Sequence, residues 1–93
     1  MKFFRIKMDA YDIIKYPLST EKSIRLMQSD NKLVFVVNKK ATKEEIKKAI
    51  EEMFQVEVKN VNTLVNQDGE KRAYIKFSAK NPAIDIATRM GLI

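Results

Sequence analysis

The hydrophobic positions in the middle of the chain follow the period of a helix. They recur at intervals of three and four residues, which places them on one face of an α-helix. Thr42 and Glu45 stand just before them at the spacing of a capping box, so the helix is expected to begin there. The apolar face carries Ile46, Ala49, Ile50, Met53 and Phe54.

The end of the chain shows the other clear pattern, a strict alternation of apolar and polar residues. Successive side chains of a strand point to opposite faces of its sheet. Residues 71–79 are therefore predicted to form a strand with one buried face and one polar face. The buried side is assigned to Ala73, Ile75, Phe77 and Ala79, and the polar side to Arg72, Tyr74, Lys76 and Ser78.

Weaker patterns predict a strand and a helix near the start of the chain. A short strand over residues 11–15 is closed by Pro17, since proline cannot donate to a strand ladder. A helix over residues 20–29 follows, with Ile24 and Met27 on its inner face.

Two further strands are expected on either side of the central helix. Residues 33–37 are apolar on both faces, which is typical of a central strand or of one covered on both sides. Residues 56–65 form a longer strand whose apolar positions change parity, so a bulge is expected near Lys59 and Asn60. Residues 66–69 end in Asp-Gly, which is typical of a hairpin turn.

A final helix completes the predicted elements. Asn81 is its expected N-cap, Pro82 its first residue, and Gly91 lies just beyond its end. Its inner face carries Ala83, Ile86, Ala87 and Met90. The order β-α-β-α-β-β-α predicts an α+β fold, with a mainly antiparallel sheet of about four strands and packed helices.

Composition excludes several classes of function. The 93 residues include neither cysteine nor histidine, which rules out disulfides, Cys/His zinc sites and catalysis by either side chain. The longest apolar run, residues 33–37, is far shorter than the roughly 20 residues of a membrane-spanning helix. Gly69 and Gly91 are the only glycines, so no glycine-rich phosphate loop exists, and no cofactor, metal or catalytic residue is expected.

One small domain accounts for the length of the chain. Residues 1–8 match no period and are assigned to an N-terminal extension of unclear role, and residues 9–93 to a single domain. Nothing in the sequence points away from the cytoplasm. The formal net charge is +6, but Lys2, Arg5 and Lys7 account for three of these charges, so the local distribution of charge is more informative than the total.

The polar face of the last predicted strand has the chemistry of an RNA-binding surface. Lys71, Arg72 and Lys76 can neutralise phosphates, and Tyr74 can stack on an unpaired base or reach a 2′-hydroxyl. Asn62, on the neighbouring strand, offers an amide to base edges or sugars. An ordinary solvated sheet face is the alternative interpretation of the same pattern.

Further lysines extend this basic surface. Lys39 and Lys40 precede the central helix, and Lys22 lies near the start of the first helix. They are second-tier candidates for RNA contacts, because solvated lysines are equally common at such positions.

Six short stretches carry a resemblance to a known family. They are DIIK at 12–15, STEK at 19–22, NKKATKEEI at 38–46, FQVEV at 54–58, VNTL at 61–64 and KRAYIK at 71–76. In this order and spacing, residues 9–93 resemble the large-subunit ribosomal proteins numbered twenty-three. The short turn at residues 66–69 is similar to that of archaeal and eukaryotic members, whereas bacterial members carry a longer basic loop that reaches into the peptide tunnel.

The resemblance implies a structural constituent of the large ribosomal subunit that binds ribosomal RNA near the polypeptide exit tunnel. It implies contact with the third domain of that RNA and with ribosomal protein twenty-nine. It also implies a docking site for the signal recognition particle, nascent-chain chaperones and the Sec translocon, with no small-molecule substrate and no membrane insertion. Glu21, Phe54 and Gln55 match the docking surface of the family.

The residues and the resemblance together name one set of RNA-binding candidates. They are Asn62, Lys71, Arg72, Tyr74 and Lys76, followed by Lys22, Lys39 and Lys40. A free-standing RNA-binding regulator that uses the same face is the alternative hypothesis, and a small-molecule enzyme is a third, for which no motif is present.

Overall fold

The computed structural model describes residues 10–91, which form a four-stranded antiparallel sheet in the order β1-β2-β4-β3. The predicted extension over residues 1–8 lies outside the described residues. The elements are α1 (Ala10–Ile13), β1 (Ile14–Pro17), α2 (Glu21–Asp30), β2 (Lys32–Val37), α3 (Lys43–Phe54), β3 (Val58–Val65), β4 (Lys71–Phe77) and α4 (Ala83–Arg89). Apart from the added turn α1, the predicted α+β fold and element order are confirmed.

The helices cover one face of the sheet and enclose the core there. Ile46 and Ile50 of α3 and Ile86 of α4 belong to the same buried cluster as Phe35 of β2 and Ile75 of β4, and each is at most 1% exposed. Burial of a side chain of this size stabilises the fold by about 1.5–3 kcal/mol. Among helices described over residues 10–91, none is long and apolar enough to cross a membrane.

The central helix α3 forms as its pattern predicts. The Thr42 hydroxyl accepts from the Glu45 N–H at 3.1 Å, and the Glu45 carboxylate accepts from the Thr42 N–H at 3.0 Å. This capping box satisfies backbone donors at the start of the helix. The helix ends at Phe54, where Gln55 adopts a left-handed conformation with a φ of 54°.

The alternation along β4 and the bulge in β3 are both confirmed. Ala73, Ile75 and Phe77 are at most 1% exposed. The pairing of β3 with β4 changes register between Val58 and Asn60, so the residue between them is the extra one of a bulge. This bulge moves the even-numbered residues of β3 that follow it onto the face opposite the core.

The first strand begins at Ile14, later than residues 11–15 predict, because a helical turn precedes it. Ile13 and Ile14 are each 5% exposed and both belong to the core. Adjacent residues of one strand cannot face the same core. A helical turn that leads directly into a strand buries both of them.

The inner face of α2 differs from its prediction. Met27 is buried as expected, but Ile24 is 42% exposed and Ser23 is buried instead. The Ser23 hydroxyl donates to the backbone of the preceding loop, at Leu18 O (3.0 Å) and Thr20 O (2.9 Å). A small hydroxyl therefore takes the position at which an apolar side chain was expected.

The start of α4 also departs from its prediction. Asn81 is not the N-cap; Pro82 holds that position without a side-chain cap. The distant Asn31 takes over the role, because its Oδ1 accepts from the Ala83 N–H at 2.6 Å. Ala79, expected to be buried, is exposed because β4 ends at Phe77.

Candidate nucleic-acid interface

The sheet face turned away from the core, called the open face here, is built from three rows of side chains that cross the strands. Residues paired directly across neighbouring strands lie on the same face, with Cβ atoms about 4.5–5.5 Å apart. The rows are Asn60–Lys76–Lys32, Asn62–Tyr74–Val34 and Leu64–Arg72–Val36–Tyr16.

The even-numbered residues of β4 lie together on the open face, as the alternation predicts. Arg72, Tyr74 and Lys76 are half-buried, and Asn62 is exposed directly opposite Tyr74. A guanidinium, a phenol, an ammonium and an amide therefore share one surface.

The floor of the open face is apolar. Val34 and Val36 are only 4% and 3% exposed, although they lie outside the core cluster on the other side of the sheet. Their directly paired neighbours in β4 are Tyr74 and Arg72. Tyr74 and Arg72 cover this floor together with Leu18 and Leu26, and moving the two larger polar side chains away would expose apolar surface, which restricts them.

Arg72 is held by an acidic partner at the edge of the open face. Its Nε donates to Glu70 Oε1 at 3.3 Å, and the pair is about one-third exposed. The Asn66 amide, turned so that its oxygen faces the guanidinium, accepts from Arg72 Nη2 at 3.2 Å. These contacts fix the direction of the guanidinium plane.

The same glutamate binds a tyrosine of β1. The Tyr16 hydroxyl donates to Glu70 Oε2 at 3.0 Å. This hydrogen bond raises the pKa of the Tyr16 phenol above its ordinary value, because ionisation would remove the donor and place a phenolate beside the carboxylate.

The far end of the open face carries two lysines opposite one another. Lys32 of β2 pairs directly with Lys76 of β4. Like charges in directly opposed positions destabilise a sheet by a few tenths of a kcal/mol to about 1 kcal/mol. An anion between these two ammonium groups would remove this repulsion.

Lys22 lies at the flank of the open face. Helix α2 runs beside β2, and a small cleft there is lined by Lys22, Leu26, Val34, Arg72 and Tyr74, among others. This lysine, a second-tier candidate, therefore adjoins the arginine and tyrosine of the open face.

The remaining lysine candidates lie at the hairpin end of the sheet. Lys71 comes one residue before Arg72, but its side chain does not lie on the open face. Its Nζ donates to Ala41 O at 2.6 Å. Lys39 and Lys40 are exposed in the turn that contains this carbonyl, and Lys39 lies against Gly69 of the hairpin. The structure therefore separates Lys71 from Arg72 and groups it with Lys39.

The three docking candidates lie outside the rows of the open face, at the start of α2 and at the end of α3. Glu21 is exposed at the start of α2, where its carboxylate pairs with Arg25 at 2.9 Å. Phe54 is partly buried against the core, and its carbonyl accepts from Arg89 Nη1 of α4 at 2.8 Å. Gln55 is exposed beside it.

Three residues of the site were not singled out from the sequence. Lys32 was hidden because β2 is otherwise apolar, and its position opposite Lys76 depends on strand order. Tyr16 and Glu70 are 54 residues apart, so only the folded chain brings them together. The alternation of β1 was too short to assign Tyr16 to the same face.

The fold and the surface define a class of protein: a small basic α+β domain with helices on one face of its sheet and a cationic, amide-bearing surface on the other. The family described as Ribosomal protein L23 matches residues 12–88, which is most of the chain. The chain belongs to this family.

Two relatives agree with this assignment. The large ribosomal subunit protein uL23 of Methanococcus aeolicus is 47% identical over 85 residues, which cover 91% of this chain and 99% of the relative. The large ribosomal subunit protein uL23 of Trypanosoma brucei brucei is 48% identical over 87 residues, covering 94% of this chain but 53% of the relative.

Family membership establishes the general role. The chain is a structural constituent of the large ribosomal subunit, acts in translation and is not an enzyme. Its cytoplasmic location follows from its place in that subunit.

Proposed function

We propose that the open face binds large-subunit ribosomal RNA. The observation that carries this proposal is the shared placement of Arg72, Tyr74 and Lys76 on one face, beside Asn62 and opposite the core. A solvated sheet face needs no such ordering of large side chains over a buried apolar floor.

The two ends of the open face suit two kinds of RNA contact. Lys32 and Lys76 form a pair of like charges that a phosphate would stabilise, while Arg72 presents a planar donor set fixed by Glu70. Between them, Tyr74 and Asn62 offer a ring for stacking and an amide for a base edge or ribose.

Lys22, Lys39, Lys40 and Lys71 extend the proposed RNA contact beyond the open face. Lys22 continues it along α2, and the other three lie at the hairpin end. We expect phosphate contacts from these residues, so that RNA binding falls steeply with salt.

The chain's position near the polypeptide exit tunnel rests on the family resemblance. The proposal includes contact with ribosomal protein twenty-nine and a docking site for the signal recognition particle, nascent-chain chaperones and the Sec translocon. Glu21 and Gln55 are exposed and belong to none of the rows of the open face, which supports the docking proposal.

A salt titration tests the RNA-binding proposal. The probe is the third domain of Methanococcus aeolicus large-subunit RNA, and the variant combines Arg72→Ala with Lys76→Ala. The magnitude of the negative slope of log affinity against log salt should decrease by roughly two, about one for each phosphate that is no longer neutralised. Lys47→Gln with Lys48→Gln, on the exposed side of α3, is the charge-matched control. An unchanged slope in the Arg72/Lys76 variant would exclude these residues from the RNA contact.

The docking proposal has its own test. Glu21→Ala should leave incorporation into large subunits intact and lower recruitment of the signal recognition particle to them. Arg25→Ala is the matched control, because it removes the partner of the Glu21 carboxylate but keeps that carboxylate. Normal recruitment by the Glu21 variant would contradict the docking role.

The alternative of a free-standing RNA-binding regulator predicts a different distribution in cells. A tagged chain should sediment with large subunits at moderate salt if it acts as proposed. Recovery mainly in the fraction free of ribosomes would favour the regulator.

A further inference from the structure

A second cationic cavity lies at the hairpin end of the sheet, around the corner from the open face. It has a volume of about 300 Å³ and is lined by three lysines from three different elements or turns. They are Lys15 of β1, Lys39 of the turn before α3, and Lys71 of β4, named the lysine corner here. Val36 and Val37 form part of its wall.

Each lysine of the corner is brought there by a local backbone feature. Lys15 lies at the irregularity of β1, where the pairing passes from Ile14 opposite Val37 to Tyr16 opposite Val36. A bulge of this kind redirects the side chain of its extra residue.

The turn that carries Lys39 is fixed at both ends. The Asn38 side chain accepts from the Lys40 N–H at 2.9 Å, and Asn38 O accepts from the Ala41 N–H at 3.0 Å. Lys71 Nζ donates to Ala41 O at 2.6 Å. An ammonium carries three donors, and this bond uses one of them.

Gly69 makes room for Lys39. Its φ is +81°, and a Cβ built there would lie 2.8 Å from Lys39 Nζ. A side chain at this position would displace the lysine, so glycine serves both the hairpin conformation and the approach of the ammonium.

The corner is continuous with the open face. Tyr16 and Glu70 line the cavity and also take part in the contacts of Arg72. Glu70 accepts hydrogen bonds from Tyr16 and Arg72, which reduces its repulsion of an incoming anion. The other acidic residue that lines the cavity is Asp68.

We propose that the lysine corner binds a backbone phosphate of the same RNA that contacts the open face, so that the RNA strand follows the sheet around its hairpin end. This inference rests on the proposed function. Its chemistry is that of an ammonium cluster with a phosphodiester, and it adds Lys15 to the RNA-binding residues.

A pair of variants tests the lysine corner with the same Methanococcus aeolicus RNA. Lys15→Gln with Lys39→Gln keeps the bond from Lys71 to Ala41. It should reduce the magnitude of the slope of log affinity against log salt by about one to two. Lys47→Gln with Lys48→Gln removes the same charge elsewhere and should leave the slope unchanged. Thermal unfolding of both variants checks that the fold is intact.

Asp68→Asn should change the RNA affinity in the opposite direction. It removes a negative charge from the cavity and keeps the turn, since Asn-Gly suits this hairpin as well as Asp-Gly. RNA affinity at low salt should rise about two- to threefold; no gain in affinity contradicts phosphate binding at the corner.

The outcomes separate this inference from the proposed function. If the Lys15/Lys39 variant has the wild-type salt slope while the Arg72/Lys76 variant has a reduced one, RNA binding at the lysine corner is contradicted and RNA binding at the open face is supported. If both variants match the wild type, both proposals fail. A reduced slope in both variants that the control does not share supports both.

Discussion

The two faces of the sheet are buried in different ways, although the same strands build them. On the helical face, Ile75 and Phe77 are sealed by α3 and α4 and are at most 1% exposed. On the open face, Val34 and Val36 are nearly as buried, but outside the core cluster, with Arg72 and Tyr74 of β4 beside them and with Leu18 and Leu26 next to Val34. Burial on the helical face therefore stabilises the fold, whereas burial on the open face also orders polar groups.

This difference explains why β2 is apolar on both sides. Its odd-numbered residues belong to the core, and Val34 and Val36 form the floor beside Tyr74 and Arg72. A floor of valine limits the rotamers of the side chains beside it, which reduces the conformational entropy that these side chains lose when RNA binds. The sequence predicted that this strand is either central in the sheet or covered on both sides, and the structure shows both.

The largest effect should come from breaking the helical face. Phe77→Ala removes a ring that is 1% exposed, and we expect it to lower the free energy of unfolding by about 3–5 kcal/mol. Urea denaturation measures this change. Lys76→Ala, one position earlier on the open face, is the control and should change stability by less than about 1 kcal/mol.

The next effect concerns the attachment of α4, which covers the helical face. Asn31 has a φ of 56°, accepts from the Ala83 N–H, and donates to Phe77 O at 3.2 Å. Asn31→Ala should cost about 2–4 kcal/mol, since it removes both the cap and a residue suited to the left-handed region.

Asn31→Gly separates these two contributions. Glycine tolerates the left-handed conformation but lacks the side chain, so it should cost less than alanine, about 1–2 kcal/mol. Equal stability of the two variants in urea denaturation would show that backbone conformation contributes nothing at this position.

A smaller effect tests whether the floor of the open face is buried. Val36→Thr keeps the shape but buries a hydroxyl, and should cost about 1–2 kcal/mol. The same exchange at Val65, which is 59% exposed, should cost less than about 0.5 kcal/mol. If the two exchanges have the same effect on the urea midpoint, the open face is an ordinary solvated surface.

The smallest effect is a pH dependence at the edge of the open face. The hydrogen bond to Glu70 raises the pKa of Tyr16, so its stabilising contribution is complete below the unfolded-state pKa of about 10 and disappears as pH rises through the folded-state pKa. Tyr16→Phe should remove a late step from the ultraviolet titration of phenolate and flatten the alkaline loss of stability. Glu70→Gln should move this titration step to lower pH; a step that stays in place contradicts the contact.

Sequence patterns predict the elements with strong periodicity and miss those set by contacts between distant segments. The capping box of α3 and the alternation of β4 depend on residues a few positions apart. By contrast, the cap of α4 comes from Asn31, 52 residues before Ala83. No local pattern distinguishes this asparagine from the expected cap, Asn81.

The candidate site divides in the same way. The shared face of Arg72, Tyr74 and Lys76 follows from the two-residue period of a strand. The same period separates Lys71 from this group, but it does not predict the bond from Lys71 Nζ to the carbonyl of Ala41, 30 residues earlier in the chain. Proximity to Arg72 in the sequence was therefore a poor guide to proximity in space.

Cysteine labelling tests the central claim most directly, since the natural chain contains no cysteine. Asn62→Cys places one thiol on the open face, and Glu52→Cys places one on the exposed side of α3. Labelling rates with a maleimide are compared for the free chain and for the chain bound to Methanococcus aeolicus large-subunit RNA. RNA should slow labelling strongly at position 62 and leave position 52 unchanged; equal rates at position 62 with and without RNA would contradict binding through the open face.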